Sequence, residues 1–239
     1  MEVKICNSKQ EVAGRFSNYF YEFVKNREEV HIALSGGSTP KIVFEELASN
    51  FKDKILWDRV HLYWGDERCV PPEDDQSNYK MTMDHLLSRI DIPKSNIHRI
   101  KGENEPEVEA VAYAVMLENN LPRRNDLPQF DLVILGMGDD GHTVSIFPHQ
   151  IGLWYSDRLC EVARHPLTGQ QRITITGSVI NNSDEVVFLV TGDSKAEKIR
   201  EIMMEEGEFE LYPANLVAPE SGSLTWFLDV DAAGQLPIN

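Results

Sequence analysis

The sequence predicts an α/β protein in which a mainly parallel sheet is covered by helices on both faces, a three-layer α/β/α arrangement. Short apolar segments of strand length alternate along the chain with longer segments whose apolar residues recur at helical spacing. Several strand segments are apolar at almost every position, which is typical of parallel strands buried on both faces. The chain contains no internal repeat and no Pro/Gly/Ser-rich linker, so we expect residues 1–239 to form a single domain.

Three helices are predicted from their first residues. A capping box at residues 8–11, Ser-Lys-Gln-Glu, is followed by apolar residues at helical spacing between positions 12 and 24. Thr39 is predicted as the N-cap of the second helix, because Pro40 after it suits the first helical position. A second capping box at residues 194–197, Ser-Lys-Ala-Glu, opens the third helix.

Five apolar segments are predicted as strands of the sheet: residues 30–34, 60–64, 132–135, 173–176 and 186–190. In open α/β sheets, ligands bind in the crevice beyond the carboxyl ends of the strands. The residues that adjoin the ends of these segments are therefore the candidates for a functional site.

Composition limits the class of partner. The chain has 23 Lys and Arg against 39 Asp and Glu, a formal net charge of −16, and nucleic acid is bound through cationic side chains, so no nucleic-acid partner is expected. No apolar run approaches the roughly 18 residues of a membrane span, and the first residues do not resemble a signal peptide, so no membrane partner is expected. Cys6, Cys69 and Cys160 are odd in number and far apart, which favours a reducing, cytoplasmic location and argues against a Cys-rich zinc site.

The first strand segment is followed by a loop rich in glycine and hydroxyl groups. Its residues are Ser35, Gly36, Gly37, Ser38 and Thr39. Glycines let the backbone approach a ligand closely, and the helix that follows would point its free N–H groups at the same place. The loop is a candidate anion site, although a tight turn at a helix start would need the same residues.

Three charged residues, Asp66, Glu67 and Arg68, follow the second strand segment. In an extended chain Asp66 and Arg68 would share one face, which makes both of them candidates for the site. A solvated loop is the alternative for this segment, and we interpret Glu67 as a residue of that solvated kind.

The third strand is followed by residues 136–143, Gly-Met-Gly-Asp-Asp-Gly-His-Thr. The glycines spell G-x-G-x-x-G, the pattern of dinucleotide sites, and the stretch is one residue away from a P-loop. Asp139 and Asp140 would repel a pyrophosphate, and His142 stands where a P-loop needs lysine, so we predict neither nucleotide site. The loop instead offers a carboxylate and an imidazole for acid–base chemistry, with a packing or capping histidine as the alternative.

An acidic chain that binds a phosphate needs cationic side chains near its site. Arg68, Arg172 and Lys195 adjoin ends of predicted strands, although Arg172 lies at the start of its segment, the wrong end for a site at the carboxyl edge. The motifs G-x-S-x-G and H-E-x-x-H are both absent, which disfavours serine and zinc esterases. We therefore expect no metal site and no organic cofactor.

Several segments, taken in chain order, resemble members of the glucosamine-6-phosphate isomerase/6-phosphogluconolactonase family, the lactonases in particular. They are residues 35–40, 64–68, 77–79, 135–138, 140–143, 172–174 and 224–227. Each motif alone is modest, but their order along nearly the whole chain makes the resemblance specific.

The resemblance implies the fold of glucosamine-6-phosphate deaminases and an enzyme that hydrolyses 6-phosphoglucono-δ-lactone to 6-phosphogluconate in the pentose phosphate pathway. The partner would be a small-molecule sugar-phosphate lactone, and we expect a monomer or a weak homo-oligomer. Arg172 and Lys195 would hold the phosphate over residues 35–39. A lactone is an ester already activated towards water, so no covalent nucleophile is required.

The expected reaction assigns roles to the remaining polar residues. His142 is predicted as the general base that takes a proton from water, and Asp140 as the carboxylate that orients it. Arg68 and loop N–H groups would stabilise the tetrahedral oxyanion. Asp66 has two interpretations: it hydrogen-bonds sugar hydroxyls, or it holds Arg68.

Two other functions fit part of the pattern. A glucosamine-6-phosphate deaminase has a similar phosphate loop and an Asp-Gly-His, but Arg68 stands where the deaminases carry a tyrosine. Residues 143–148 also lack the carboxylate that supports the deaminase histidine. A non-catalytic sugar-phosphate sensor would keep the phosphate loop but would not need Asp140 and His142.

Overall fold

The structure is a computed structural model that describes residues 1–237. Within that range the strands are β1 (Glu2–Cys6), β2 (Val30–Leu34), β3 (Val60–Trp64), β4 (Asp66–Arg68), β5 (Ile97–His98), β6 (Arg123–Arg124), β7 (Leu127–Pro128), β8 (Leu132–Leu135), β9 (Cys160–Arg164), β10 (Gln171–Ile175), β11 (Glu185–Val190) and β12 (Ser223–Asp229). The α-helices of the same range are α1 (Lys9–Val24), α2 (Ser38–Glu46), α3 (Asn78–His85), α4 (Pro106–Asn120), α5 (Gly177–Asn181) and α6 (Ala196–Met204).

Seven strands form a parallel sheet in the order β1-β12-β11-β8-β2-β3-β5. All five residues of β2 and all four of β8 are buried. Because successive side chains of a strand point to opposite faces, burial along the whole strand means that both faces are covered. The predicted three-layer arrangement around a mainly parallel sheet is thus confirmed, and the bounds predicted for β2, β3 and β8 agree with the structure.

The chain changes direction across this sheet between β2 and β8. After β2 it builds β3 and β5 on one side, whereas β8 is followed by β11 and β12 on the other side. A crevice therefore opens between the loops that leave β2 and β8 at their carboxyl ends. This is the place where open α/β sheets bind their ligands.

One predicted strand belongs to a different sheet. Residues 173–176 were expected in the parallel sheet, but β10 pairs antiparallel with β4 and β9 in a separate three-stranded sheet. Strand β4 follows β3 after the single residue Gly65, so this small sheet extends from the carboxyl edge of the large one. The start of β10, where Arg172 lies, is consequently at the crevice and not at the opposite end of the molecule.

The helix caps agree with the sequence in one case out of three. Ser8 Oγ accepts a hydrogen bond from the backbone N–H of Glu11 at 3.2 Å, as the capping box predicts. Helix α2 begins at Ser38 with Gly37 as its N-cap, so the prediction of Thr39 was wrong. Helix α6 has no side-chain cap, because the Ser194 hydroxyl donates to Asp139 instead.

The apolar core is continuous, and helices α1 and α2 pack on each other as well as on strands of the large sheet. In the range 1–237, none of the helices combines the length and the apolar character that a membrane crossing requires.

Candidate active site

A cavity of about 200 Å³ lies at the carboxyl end of the parallel sheet, between the loops that follow β2 and β8. Every site residue predicted from the sequence lines it except Asp140: Ser35, Gly36, Gly37, Ser38, Thr39, Asp66, Arg68, His142, Arg172 and Lys195. Asp140 lies behind His142 and contacts it directly. The structure therefore brings together residues that are up to 160 positions apart in the chain.

The loop of residues 35–39 is shaped for close approach. Gly37 has φ = +113°, a conformation that L side chains rarely adopt, and it starts α2 without any side-chain cap. The first N–H groups of α2 are thus left available to an anion. A Cβ atom on Gly36 would lie 1.8 Å from Asn78 Oδ1, so a larger residue there would displace Asn78. Thr39 Oγ1 lies 2.8 Å from Thr191 Oγ1 and joins this loop to the one after β11.

Two arginines face the cavity from the small sheet. Arg68 on β4 and Arg172 on β10 are direct cross-strand partners. The Nε atom of each is buried without a hydrogen-bond partner, and within residues 1–237 neither guanidinium forms an ion pair. Burial lowers the pKa of Arg172; attraction to Asp66 opposes this shift and repulsion from Arg68 adds to it. Two cations held together in this way favour an anion between them.

Lys195 also lines the cavity, but its ammonium group already has an ion-pair partner. Its ammonium forms an ion pair with Asp139, to which Ser194 Oγ donates at 2.9 Å. The hydrogen bond from Lys195 lowers the pKa of Asp139 below its ordinary value against the opposing effect of burial. An incoming phosphate would have to compete with Asp139 for this lysine.

The third loop presents a histidine supported by a carboxylate. His142 Nδ1 lies 2.6 Å from Asp140 Oδ1, and the backbone N–H of His142 donates to the same oxygen at 3.1 Å. Burial acts to raise the pKa of Asp140, but the hydrogen bonds and the charge of His142 outweigh it and lower the pKa to about 2. Asp140 is thus a charged acceptor at neutral pH, which favours the tautomer of His142 that carries its proton on Nδ1.

Asp66 does not hold Arg68. Its Oδ2 accepts a hydrogen bond from Ser145 Oγ at 2.6 Å, and Asn78 Nδ2 lies 3.3 Å from its Oδ1. The Arg68 guanidinium instead donates to the backbone oxygen of Gln76. The interpretation that Asp66 holds Arg68 is therefore wrong, since the two described side chains make no hydrogen bond or ion pair with each other. Ser145 and Asn78 orient the buried carboxylate of Asp66 instead.

Glu67 is buried, contrary to the prediction that it belongs to a solvated loop. Its side chain is 2% exposed and accepts hydrogen bonds from the N–H groups of Arg68, Asn78 and Tyr79 at 2.7 to 2.8 Å and from Ser77 Oγ at 3.0 Å. Burial raises its pKa, and these hydrogen bonds oppose the shift. Glu67 ties the N-terminus of α3 to β4 and so fixes the segment that carries Asn78 to the cavity wall.

The sequence interpretation missed several residues that shape the site. Asn78, Ser145 and Thr191 contact the predicted residues directly, as described above. Tyr212 packs against the loop of His142 so closely that a Cβ atom on Gly141 would lie 2.6 Å from its ring. Asn78 and Ser145 lie in segments that the sequence pointed to, and Thr191 directly follows the predicted strand 186–190, but none of the three was assigned to the site, and nothing in the sequence indicated Tyr212.

The arrangement combines an acid–base pair with an anion site in one cavity. His142 with Asp140 can move a proton, and the uncapped start of α2 with Arg68, Arg172 and Lys195 can hold an anion. A ligand with an anionic group beside a group that gains or loses a proton would fit this arrangement.

The model of the family described as glucosamine-6-phosphate isomerases/6-phosphogluconolactonase matches residues 7–226. A relative from Treponema pallidum (strain Nichols), named 6-phosphogluconolactonase, is 42% identical over 202 residues that cover 84% of each chain. Among solved structures, 6-phosphogluconolactonase from Leishmania guyanensis has a TM-score of 0.88 at 29% identity and covers 99% of both chains.

A monomeric glucosamine-6-phosphate deaminase of solved structure has a TM-score of 0.83 at 20% identity, over 98% of this chain and 99% of the other. At this identity the likeness concerns the fold alone. It confirms that the chain has the predicted fold, which lactonases and deaminases share.

Proposed function

The chain belongs to the glucosamine-6-phosphate isomerase/6-phosphogluconolactonase family and is an enzyme, and we propose that it hydrolyses 6-phosphoglucono-δ-lactone to 6-phosphogluconate. The observation that carries this proposal is that His142, which is paired with Asp140, lines one cavity together with three cationic side chains. A phosphate at one end of the substrate and an ester at the other would use both features at once. The relatives' common name supports the same reaction, a step of the pentose phosphate pathway.

The phosphate is proposed to lie over residues 35–39, where the first N–H groups of α2 face the cavity. Arg172 and Lys195 would donate to its oxygens. The net charge of −16 repels a phosphate ester from most of the surface, so this local group of cations is what would retain it. Asp66, buried and oriented by Ser145, is left to accept hydrogen bonds from sugar hydroxyls.

The proposed reaction needs water as its only co-reactant. Nε2 of His142 takes a proton from water while the water oxygen bonds to the lactone carbonyl carbon, and the carbonyl electron pair moves onto oxygen. Arg68 donates to this oxyanion, a contribution of about 2.7–4 kcal/mol for a well-placed donor. The bond between that carbon and the ring oxygen then breaks, and the ring oxygen takes the proton back from His142.

Asp140 would act on His142 and not on the substrate. Its carboxylate accepts the Nδ1 proton, which keeps the ring in the orientation and tautomer that expose Nε2, and it stabilises the imidazolium that forms. The same contact explains why Asp140 lies outside the cavity wall.

We propose that the reaction does not use a metal. Among the described residues that line the cavity, the Asp, Glu, His and Cys types are represented by Asp66 and His142 alone. Asp66 is engaged by Ser145 and Asn78, and His142 is engaged by Asp140. Three free ligands, as catalytic zinc requires, are not assembled there.

The test is to generate the lactone in place from glucose 6-phosphate and to measure acid release above the spontaneous rate. We expect a rate proportional to enzyme concentration with the phosphorylated lactone. Glucosamine 6-phosphate, offered in parallel, should release no ammonia. Ammonia release without lactone hydrolysis would assign the chain to the deaminases. Activity with neither substrate would favour the third function, a non-catalytic sugar-phosphate sensor.

A further inference from the structure

A second group of potential ligands lies at the amino end of the parallel sheet, away from the cavity. Glu29 directly precedes β2, His31 lies in β2 and His61 lies in β3. Their ligand atoms are all within 4.8 Å of one another. We infer that these three side chains bind one divalent transition-metal ion of the zinc class, such as Zn²⁺, Co²⁺ or Ni²⁺.

The distances suit a single small ion. Glu29 Oε1 lies 3.5 Å from His31 Nε2 and 3.2 Å from His61 Nε2. Zinc binds nitrogen and oxygen ligands at about 2.0–2.2 Å, and at a tetrahedral angle such ligands are separated by about 3.4 Å. One carboxylate with two imidazoles is a donor set of zinc and its neighbours, whereas Ca²⁺ and Mg²⁺ prefer oxygen ligands.

The strand register places these side chains together. His31 and His61 are direct partners across the parallel pair of β2 and β3. Glu29 lies two positions before His31, so an extended chain puts both on the same face. The site is therefore built on adjacent backbone positions of a buried sheet, which hold ligands more precisely than loops do.

The other nitrogens of both imidazoles are engaged by neighbours. His31 Nδ1 lies 3.2 Å from the Tyr63 hydroxyl, and His61 Nδ1 lies 3.1 Å from His98 Nε2. Ligating histidines characteristically donate their second ring N–H to such a partner, which fixes the ring and its tautomer. Here the two partners direct both Nε2 atoms towards Glu29.

The site is reachable and separate from the proposed reaction. The Glu29 side chain is 59% exposed, so an ion can enter from solvent. His31 lies four residues before Ser35, about 13 Å along an extended strand, and an ion there would not touch a substrate in the cavity. It would instead join β2 to β3 and to the segment before β2, so its effect is on stability. From the sequence we expected no metal site, because His61 lies 30 positions beyond His31 and no ligand motif joins them.

The experiment uses the full chain, freed of metal with a chelator and then titrated with Co²⁺ alone. We expect one equivalent to bind with the visible absorption of tetrahedral cobalt bound by nitrogen and oxygen, and Zn²⁺ should displace it. Loss of a partner of a ligand costs about 10–100-fold in metal affinity, so loss of a ligand in His61→Ala should cost at least about 100-fold. Glu29→Gln, at an exposed position, is the second variant and tests the site should His61→Ala not fold.

Two variants serve as matched controls. His85→Ala removes another histidine that pairs with a glutamate, Glu45, at 2.9 Å, and His142→Ala removes the imidazole of the cavity. Cobalt affinity should be unchanged in both. Tyr63→Phe should weaken cobalt binding about tenfold or more while the chain stays folded, because it frees the His31 ring.

Three results would overturn the inference. The first is that no cobalt binds to the wild-type chain at equimolar concentration. The second is that His61→Ala and Glu29→Gln bind cobalt as the wild type does. The third is that His142→Ala abolishes binding, which would place the ion in the cavity.

Discussion

At the carboxyl edge of the parallel sheet the functional groups come from loops and from the small sheet, whereas at the amino ends of β2 and β3 they come from strand residues and the residue just before them. The loops provide a helix start, a histidine and Lys195, and the small sheet provides Arg68 and Arg172, around a cavity of about 200 Å³. The strands place Glu29, His31 and His61 within 4.8 Å of one another. Groups from several separate segments can therefore surround a substrate, whereas three ligand atoms this close together suit a single ion.

The two ends also differ in how their charges are satisfied. In the cavity, Arg68 and Arg172 each keep a buried Nε without a partner. At the amino end, the second ring nitrogen of each histidine already has a partner. Cations without an ion-pair partner attract an anion, whereas imidazoles that are oriented by their neighbours suit a metal. If the two ends are independent, a substitution or an ion at one end leaves the properties of the other end unchanged.

The largest effect is expected at His142. His142→Asn keeps the size of the side chain but cannot accept the proton, so kcat should fall by about 10²–10⁴. Lactones also hydrolyse without enzyme, especially in alkali, so activity is measured as the slope of rate against enzyme concentration at each pH.

His149→Asn, at a histidine outside the cavity wall, is the control for this substitution and should keep wild-type slopes. Slopes close to wild type for His142→Asn across the neutral range would show that His142 is not the general base. Asp66 would then be the candidate for that role.

The next effect concerns the phosphate. Arg172→Ala should weaken binding of 6-phosphogluconate at least about tenfold, because a hydrogen bond to a charged group contributes about 1.5–3 kcal/mol. Unphosphorylated gluconolactone should be turned over almost as in the wild type. Lys195→Ala should weaken binding of 6-phosphogluconate less than Arg172→Ala does, because in the free protein Asp139 already neutralises this lysine.

Arg158→Ala, at an exposed arginine, is the matched control for Arg172. Equal losses of Arg172→Ala with phosphorylated and unphosphorylated lactones would contradict a role at the phosphate. They would place Arg172 at the reacting carbonyl or in the stability of the small sheet.

Asp140→Asn should lower kcat about tenfold or more, since a charged hydrogen bond to His142 is lost. Without the carboxylate the imidazolium is less stable, so the acid limb of the kcat/KM profile should move to lower pH.

The same pair contributes to the stability of the fold. The pKa of Asp140 is lowered to about 2 from an ordinary 3.8, so the stability from this pair is present above pH 4 and lost as the pH falls towards 2. Thermal unfolding of wild type and variant across this range measures that loss, and an acid limb that stays in place would contradict the pairing.

The smallest effect on activity is expected from chelation. EDTA should leave the hydrolysis rate unchanged, because the proposed ion is not in the cavity, but Tm should rise when Zn²⁺ is then added in excess. A rate that falls with EDTA and returns with a divalent ion would show that the reaction uses a metal. It would contradict the role of His142 as the general base of a metal-free reaction. An unchanged Tm would show that the amino end holds no ion.

Most of the central sheet was predictable from local pattern. Strands β2, β3 and β8 were predicted with their observed bounds because each is an apolar run closed by polar or glycine residues. The site loops were predicted for a related reason: parallel strands bring their carboxyl ends to one edge, so the residues after them meet. Strands β1, β9 and β12 were not predicted, although all three are paired in the structure.

The errors have one cause, which is pairing between distant segments. Arg172 was expected at the wrong end because β10 was placed in the large sheet, and only its pairing with β4 puts it opposite Arg68. Glu67 was interpreted as solvated because its four donors include residues ten to twelve positions away. The hydroxyls of Thr39 and Ser194 were predicted as caps, yet they bond Thr191 and Asp139.

The sequence by itself determined the fold class, the three central strands and the loops that carry Asp140, His142 and residues 35–39, because periodicity and glycine content act over a few neighbouring residues. Only the tertiary structure decided which face each charged group meets. It buried Glu67, separated Asp66 from Arg68 and gathered Glu29, His31 and His61, since strand register and sheet membership arise from contacts between segments about 30 to 100 positions apart. Such contacts join segments that are distant in the chain, so a pattern within a few neighbouring residues does not show which segments meet.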